Sequence, residues 1–405
     1  MPKYVFLNVP AHGHVNPTLA VAQELVNRGQ EVSYYLTEDF RAPIEATGAV
    51  FQPYTSSMPA MRPPTNWNLN DPAVMQNMMP LRMIEESKVM IPQLLDRIRA
   101  EQPDYILYDM MCLWGKLLAQ ILHVPAIALR PSYAMNAQFN LVSIMRSQQS
   151  QAGGPPPEIF KKLDATLAQI CETYHIPTLN VMDMFAQPEP LNIVFIPRSF
   201  QPFAESFDER FVFVGPALQP RLHDNNFPLE RLHGKTTLYI SLGTVFNSQT
   251  QFFNQCFAAF KDSPYQVVMA YGKNIDPSEL DAIPENFLVA PHIPQLDVLA
   301  HSSVFISHCG MNSTMESLYY GVPLIGIPQM PEQAMNAKRV QELGLGIALN
   351  AASVTAEVLR ASVEKILADP TYRQQTLAMQ ETVRTAGGAQ KAVDALMHLK
   401  ELQKA

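Results

Sequence analysis

The sequence predicts an α/β protein built as two halves, each a parallel sheet covered by helices. Three observations predict it. Strand-like and helix-like periods alternate from the first residues onward. The alternation stops in a stretch, 215–234, that carries Pro216, Pro220 and Pro228, and it restarts near residue 236. Small-residue loops follow strands in both halves, at the carboxyl ends where such sheets bind ligands. A chain of 405 residues with 47% hydrophobic and 16% charged residues has apolar material for a sizeable core.

The elements follow in order. Residues 4–9 are a short apolar strand, and the loop 10–14 (Pro-Ala-His-Gly-His) comes after it. Helical spacing then appears at Leu19, Ala22, Leu25 and Val26 and stops at Gly29. Residues 31–37 form the next strand, which completes a βαβ unit and so requires a parallel sheet. Strands 104–108, ending at Asp109, and 125–129 extend it. In the second half the strands are 237–241, 266–271, 287–290, 304–307 and 322–327. Helices start near Asn312, ending before Gly321, and span 332–343, ended by Gly344. The last segment is helical from Gly388, with Ala392, Val393, Leu396 and Leu399 at helical spacing. The domain reading is 1–215, a linker 216–234, 235–380, and a C-terminal segment 381–405. Two such halves facing one another make a cleft, and the loops 10–16, 241–244 and 308–313 lie at strand ends there.

Composition removes several classes of function. A formal net charge of −8 argues against nucleic acid or an anionic membrane as the main partner. Cys112, Cys171, Cys256 and Cys309 form no CxxC pair, so neither a zinc ligand set nor a redox motif is expected, and a reducing compartment, the cytoplasm, is. The first apolar run stops at Pro10, too soon for a secretory signal, and no stretch approaches 18 apolar residues.

Two constellations can carry chemistry. His14 and His12 share the loop after the first strand. A histidine can take a proton from a hydroxyl near neutral pH, and Asp109, at the end of another strand of the same half, is placed to hold its second ring nitrogen. A satisfied structural histidine is the competing reading. In the second half, Asn312 and Ser313 open a helix after a glycine-bearing loop, and a helix start suits a diphosphate. Simple N-capping by either residue competes with this. His308 precedes them, Glu316 follows Asn312 by one helical turn, and Ser241, Gly243 and Thr244 form a second small-residue turn. No DxD triplet is present to place a metal on a diphosphate, which favours neutralisation by helix dipole and side chains. Met58, Met61, Met75, Met78, Met79, Met83 and Met90 crowd one stretch, as an adaptable apolar pocket or as core, and the Pro-rich stretch 58–68 reads as a loop at the cleft mouth.

The segment from His292, HIPQLDVLAHSSVFISHCGMNSTMESLYYGVPLIGIPQMPEQAMNAKRVQELGLG, closely resembles the C-terminal signature of family 1 glycosyltransferases. AHGHVNPTLA near the start and SLGT at 241–244 resemble the bacterial macrolide-type members, so the resemblance touches both halves. It implies a GT-B fold, two facing Rossmann-like domains with a C-terminal helix crossing back to the first. It implies an inverting, metal-independent transfer from a UDP-sugar, with no cofactor, to a hydroxyl of an apolar small molecule such as a flavonoid, another phenol or a macrolide. The first domain would bind the acceptor and the second the nucleotide sugar. By motif position His14, after the loop glycine, is the general base rather than His12, and Asp109 orients it. His308 and Gly310 would meet the diphosphate, Asn312 and Ser313 its oxygens, and Glu316 the ribose hydroxyls. Ser241, Gly243 and Thr244 join the phosphate cradle. His292, Ile293 and Gln295 fall to the nucleotide, and Glu332 and Gln333 to the sugar hydroxyls. The chain departs from the pattern at three places: His292 replaces a stacking tryptophan, Glu332 is one methylene longer than the usual aspartate, and Met311 replaces a tryptophan. A sugar-nucleotide epimerase or hydrolase, a nucleotide-sugar sensor and a lipid-linked cell-wall transferase are the other readings.

Overall fold

The computed structural model describes residues 1–57, 79–140, 157–219, 227–243 and 249–404. Thr244, the stretch 58–68 and the methionines Met58, Met61, Met75 and Met78 lie outside the described residues. The chain forms two compact units, Met1–Gln219 with Ala386–Ala405, and Pro220–Thr385.

The first unit runs β1 (Lys3–Leu7), α1 (His12–Asn27), β2 (Glu31–Leu36), α2 (Arg41–Glu45), β3 (Val50–Pro53), α3 (Met79–Glu101), β4 (Tyr105–Asp109), α4 (Leu113–Leu122), β5 (Ala126–Arg130), α5 (Pro157–Thr173), α6 (Val181–Ala186), β6 (Leu191–Val194) and β7 (Phe211–Phe213). The strands pair in parallel in the order β3-β2-β1-β4-β5-β6-β7. Helices cover both faces, so β1 and β4 are buried on both sides and read as apolar runs. Tyr4 stacks on Tyr105 and Phe6 on Tyr34 across neighbouring strands. Met83 and Met90 are core residues of this unit, which settles those two as packing.

One expectation needs correction. Residues 10–14 are not all loop: α1 begins at His12, so His14 rides in its first turn. The start was invisible in sequence because the N-cap is Ala11, which has no side-chain acceptor. The Ala11 carbonyl instead receives the amides of His14 at 2.9 Å and Val15 at 3.0 Å.

The second unit runs β8 (Thr237–Ser241), α7 (Thr250–Phe260), β9 (Gln266–Ala270), β10 (Phe287–Ala290), α8 (Gln295–Leu299), β11 (Val304–Ser307), α9 (Met311–Tyr319), β12 (Leu324–Gly326), α10 (Pro331–Glu342), β13 (Gly346–Ala348), α11 (Ala356–Ala368) and α12 (Pro370–Thr385). Its strands are again all parallel, ordered β10-β9-β8-β11-β12-β13. Gln380 and Arg384 donate to the Tyr319 carbonyl at 3.1 and 2.9 Å, which ties α12 to this unit.

The final helix, α13 (Gly388–Lys404), rejoins the first unit. Ala392, Val393 and Leu396 enter its core, Lys391 donates to the Phe213 carbonyl, and Arg28 pairs with Asp394 at 2.6 Å. No helix among the described residues is long and apolar enough to cross a membrane.

Each sheet changes winding direction once: between β1 and β4 in the first, between β8 and β11 in the second. Ligands of open parallel sheets bind beyond the strand ends at such a point.

Candidate active site

In the first unit the switch point is occupied by two sequence-predicted residues. β1 leads into α1, which carries His14, and β4 ends at Asp109 beside it. His14 Nδ1 lies 2.9 Å from both Asp109 carboxylate oxygens. Asp109 is fully buried, whereas the His14 side chain is 29% exposed. The Met111 amide donates to Asp109 Oδ1 at 2.8 Å and fixes the carboxylate. A carboxylate only accepts, so Nδ1 carries the hydrogen, and in the neutral ring the lone pair is on Nε2. His12 does not share this arrangement. It is exposed and its ring packs on Phe40 at 4.9 Å.

In the second unit the switch point holds a histidine between two glycines. A Cβ on Gly243 would stand 2.6 Å from His308 Cε1, and one on Gly310 would stand 2.5 Å from its Nε2. Gly243 also has a φ of +80°, which a side chain would strain. Burial holds the imidazole down to about 4, against a hydrogen bond to the Ser241 backbone that works the other way. His308 is therefore neutral near pH 7, and its Nδ1 has no hydrogen-bond partner among the described residues. Ser241 Oγ accepts from the Gly243 amide at 3.3 Å and shapes the turn.

The loop from His308 feeds α9. Gly310 is the N-cap, without a side-chain cap, so Asn312 and Ser313 stand in the first turn and the N-capping reading of them is overturned. The first amide engaged in the helix is that of Thr314, bonded to the Gly310 carbonyl at 2.9 Å. A helix start offers backbone amides and the positive end of its dipole, as an anion site requires. Glu316, one turn on, is only 2% exposed. Gln295 donates to its carboxylate and to Ser313 Oγ at 3.4 Å, while accepting from the Tyr239 hydroxyl at 3.1 Å. Gln295 thus orients the carboxylate that could receive two hydroxyls.

The remaining predicted residues sit less tightly. His292 is exposed. Ile293 is 3% exposed, which leaves its main chain rather than its side chain for a ligand. Glu332 is exposed in the first turn of α10, and Gln333 accepts from the Gln329 amide at 2.8 Å.

Sequence reasoning missed two residues here. Tyr239, read as an apolar strand position, supplies the hydroxyl that holds Gln295. Asn336, fully buried on α10, donates to the Cys309 carbonyl at 2.9 Å and holds Cys309 at a φ of +58°. Its place one turn after Glu332 was the available signal. Burial pushes the Cys309 thiol up to about 12, so it stays protonated and acts as packing. Among the described residues no group of three or more His, Cys, Asp and Glu is placed to hold a metal ion.

Residues 233–384 match the family described as UDP-glucoronosyl and UDP-glucosyl transferase. Over 96% of its length the chain is 42% identical to the NDP-glycosyltransferase YjiC of Bacillus licheniformis, covering 95% of that protein. The chain belongs to the family 1 glycosyltransferases. This glycosyltransferase is also 29% identical to the oleandomycin glycosyltransferase of Streptomyces antibioticus, over 96% of this chain and 88% of that one. Its fold is GT-B: the crystal structure of a calicheamicin glycosyltransferase superposes with a TM-score of 0.85 at 32% identity, covering 98% of both chains. The glycotransferase of kitacinnamycin superposes at 0.84 with 28% identity, over 98% of this chain and all of that one. The glycosyltransferase thus carries its imidazole–carboxylate pair and its glycine-flanked helix start at the two switch points of a GT-B chain. It is an enzyme that takes its sugar from a UDP-sugar donor.

Proposed function

We propose that this glycosyltransferase moves a hexose, glucose, from UDP-glucose to a hydroxyl of an apolar small molecule, with inversion and without a metal. The observation that carries the reading is the His14 Nδ1 contact to both Asp109 oxygens at 2.9 Å. His14 Nε2 removes the acceptor hydroxyl proton as the oxygen attacks the anomeric carbon. One displacement inverts that carbon, and the C–O bond to the diphosphate breaks with its electron pair on UDP. Asp109 stabilises the imidazolium that forms. The charge growing on the leaving diphosphate meets the first-turn amides of α9, donors fixed before the reaction starts, and His308, whose one N–H in the neutral ring is held by the Ser241 backbone, is assigned to line the diphosphate beside them. Each such donor is typically worth about 2.7–4 kcal/mol.

The Glu316 carboxylate, held by Gln295, suits a ribose with both hydroxyls and so favours UDP over dTDP. Glu332 and Gln333 are assigned the sugar hydroxyls. Relatives named for oleandomycin and calicheamicin support an apolar natural-product acceptor.

The test is turnover of UDP-glucose with a panel of phenols and macrolides, in EDTA, with the product's anomeric configuration read by NMR. The β-glucoside is expected from the native protein. His14→Ala is expected to lose roughly 10²–10⁴-fold in kcat, the range of a lost general base, while still binding UDP. Normal turnover by His14→Ala rejects the base, and loss of native activity in EDTA rejects the metal-free route.

A further inference from the structure

Beneath the candidate base lies a chain of buried polar groups for which the reaction as described has no use. Asn8 follows β1 inside an apolar run and is 1% exposed. Its Oδ1 accepts from the Val9 amide at 2.8 Å, which fixes the orientation of the side-chain amide. Its Nδ2 then faces the His14 carbonyl at 3.2 Å, the Tyr34 hydroxyl at 3.0 Å and Thr18 Oγ1 at 3.3 Å. Thr18 Oγ1 donates to the Val15 carbonyl at 2.7 Å. It therefore accepts from the Tyr34 hydroxyl, also 2.7 Å away, and the Tyr34 oxygen accepts from Asn8. Both Asn8 hydrogens are used, one on His14 and one on Tyr34. Tyr54 closes the chain by donating to the Asn8 carbonyl at 2.5 Å.

The first turn of α1 needs such support. Its N-cap, Ala11, makes no side-chain bond, and Pro17 sits inside the helix. Proline has no N–H for the Gly13 carbonyl, and its ring presses on that carbonyl. The helix alone therefore holds the turn bearing His14 weakly.

We propose that Asn8 is a positioning residue for the base. It ties the main chain of His14 to Tyr34 on β2, and through the Tyr34 hydroxyl to Thr18 further along α1, and so sets where the imidazole stands against Asp109. Asn8 touches no reacting atom. The inference rests on the reading of His14 as base.

Asn8→Asp keeps the shape and, when ionised above its pKa, cannot donate to the His14 carbonyl. Its kcat per UDP-binding site is expected to fall at least about tenfold, because small misplacement of a reacting group is costly. The KM for UDP-glucose and the affinity for UDP are expected to stay unchanged. Tyr34→Phe, which keeps Asn8 and removes one acceptor, is expected to give a smaller fall of the same kind and covers the case in which Asn8→Asp does not fold. In a His14→Ala background neither change is expected to lower the residual rate further, since both act through His14. A merely structural Asn8 would lower the melting temperature and leave kcat per UDP-binding site intact. That result, or a further loss in the His14→Ala background, overturns the proposal. Normal turnover by His14→Ala sinks the base and this inference together. An inactive His14→Ala beside unimpaired Asn8 and Tyr34 variants sinks the inference alone.

Discussion

At the scale of single residues, His308 is held by what its neighbours lack. Gly310→Ala puts a Cβ 2.5 Å from His308 Nε2, and the ring must move. The loop amides at the start of α9 shift with the ring, and losing one hydrogen bond to a charged group costs about 1.5–3 kcal/mol, so UDP affinity is expected to fall roughly 10- to 100-fold by titration calorimetry. A Gly310→Ala variant that binds UDP like the parent would remove His308 from the diphosphate site. The same ring makes stability depend on pH. Its folded value, about 4, lies below the ordinary 6.5, so the unfolded chain binds the extra proton between the two. Stability is therefore full above about pH 6.5 and is lost as pH falls towards about 4. Chemical denaturation across that window should show a shallower slope in His308→Gln than in the parent, and equal slopes would contradict the assignment.

At the scale of elements, the first unit depends on a helix from the far end of the sequence. α13 places Val393 and Leu396 in a core otherwise built from residues before 220. Leu396 is 1% exposed, and cutting it to alanine is expected to cost about 2–5 kcal/mol in urea unfolding, with the loss confined to the first unit. The Arg28–Asp394 pair beside it is 26% and 66% exposed and adds little by comparison. A cost under half a kilocalorie for Leu396→Ala would mean that α13 is only loosely attached.

At the scale of the whole molecule, the two units bring different chemistry: the first an imidazole–carboxylate pair, the second a helix start with a buried carboxylate one turn on. If the second unit alone holds the nucleotide, UDP stabilises that unit by mass action, about 2.7 kcal/mol at a hundredfold excess over Kd. Hydrogen exchange with saturating UDP should then slow amides in β8, α9 and the loop from 308 to 310, and leave α1 and β4 unchanged. Protection centred on residues 3–27 instead would place the nucleotide in the wrong unit.

Much of this was legible in the linear chain. Strands 237–241, 287–290 and 304–307 have the ends read from apolar periodicity, because a strand buried on both faces leaves an uninterrupted apolar signature. His14 and Asp109 could be paired on paper because each stands at a strand's carboxyl end in one half. The sequence could not show that α1 starts at His12, since its cap is a main-chain arrangement around Ala11. Nor could it show that Asn8, Tyr239 and Asn336 bond to His14, Gln295 and Cys309, since a buried amide or hydroxyl has no period and these partners are 6, 56 and 27 residues away. Local order and residue type thus decided the fold class and singled out the groups to which the proposed reaction is assigned. Which groups hold them in place was decided by long-range hydrogen bonding, because buried polar atoms must find partners wherever the folded chain brings them.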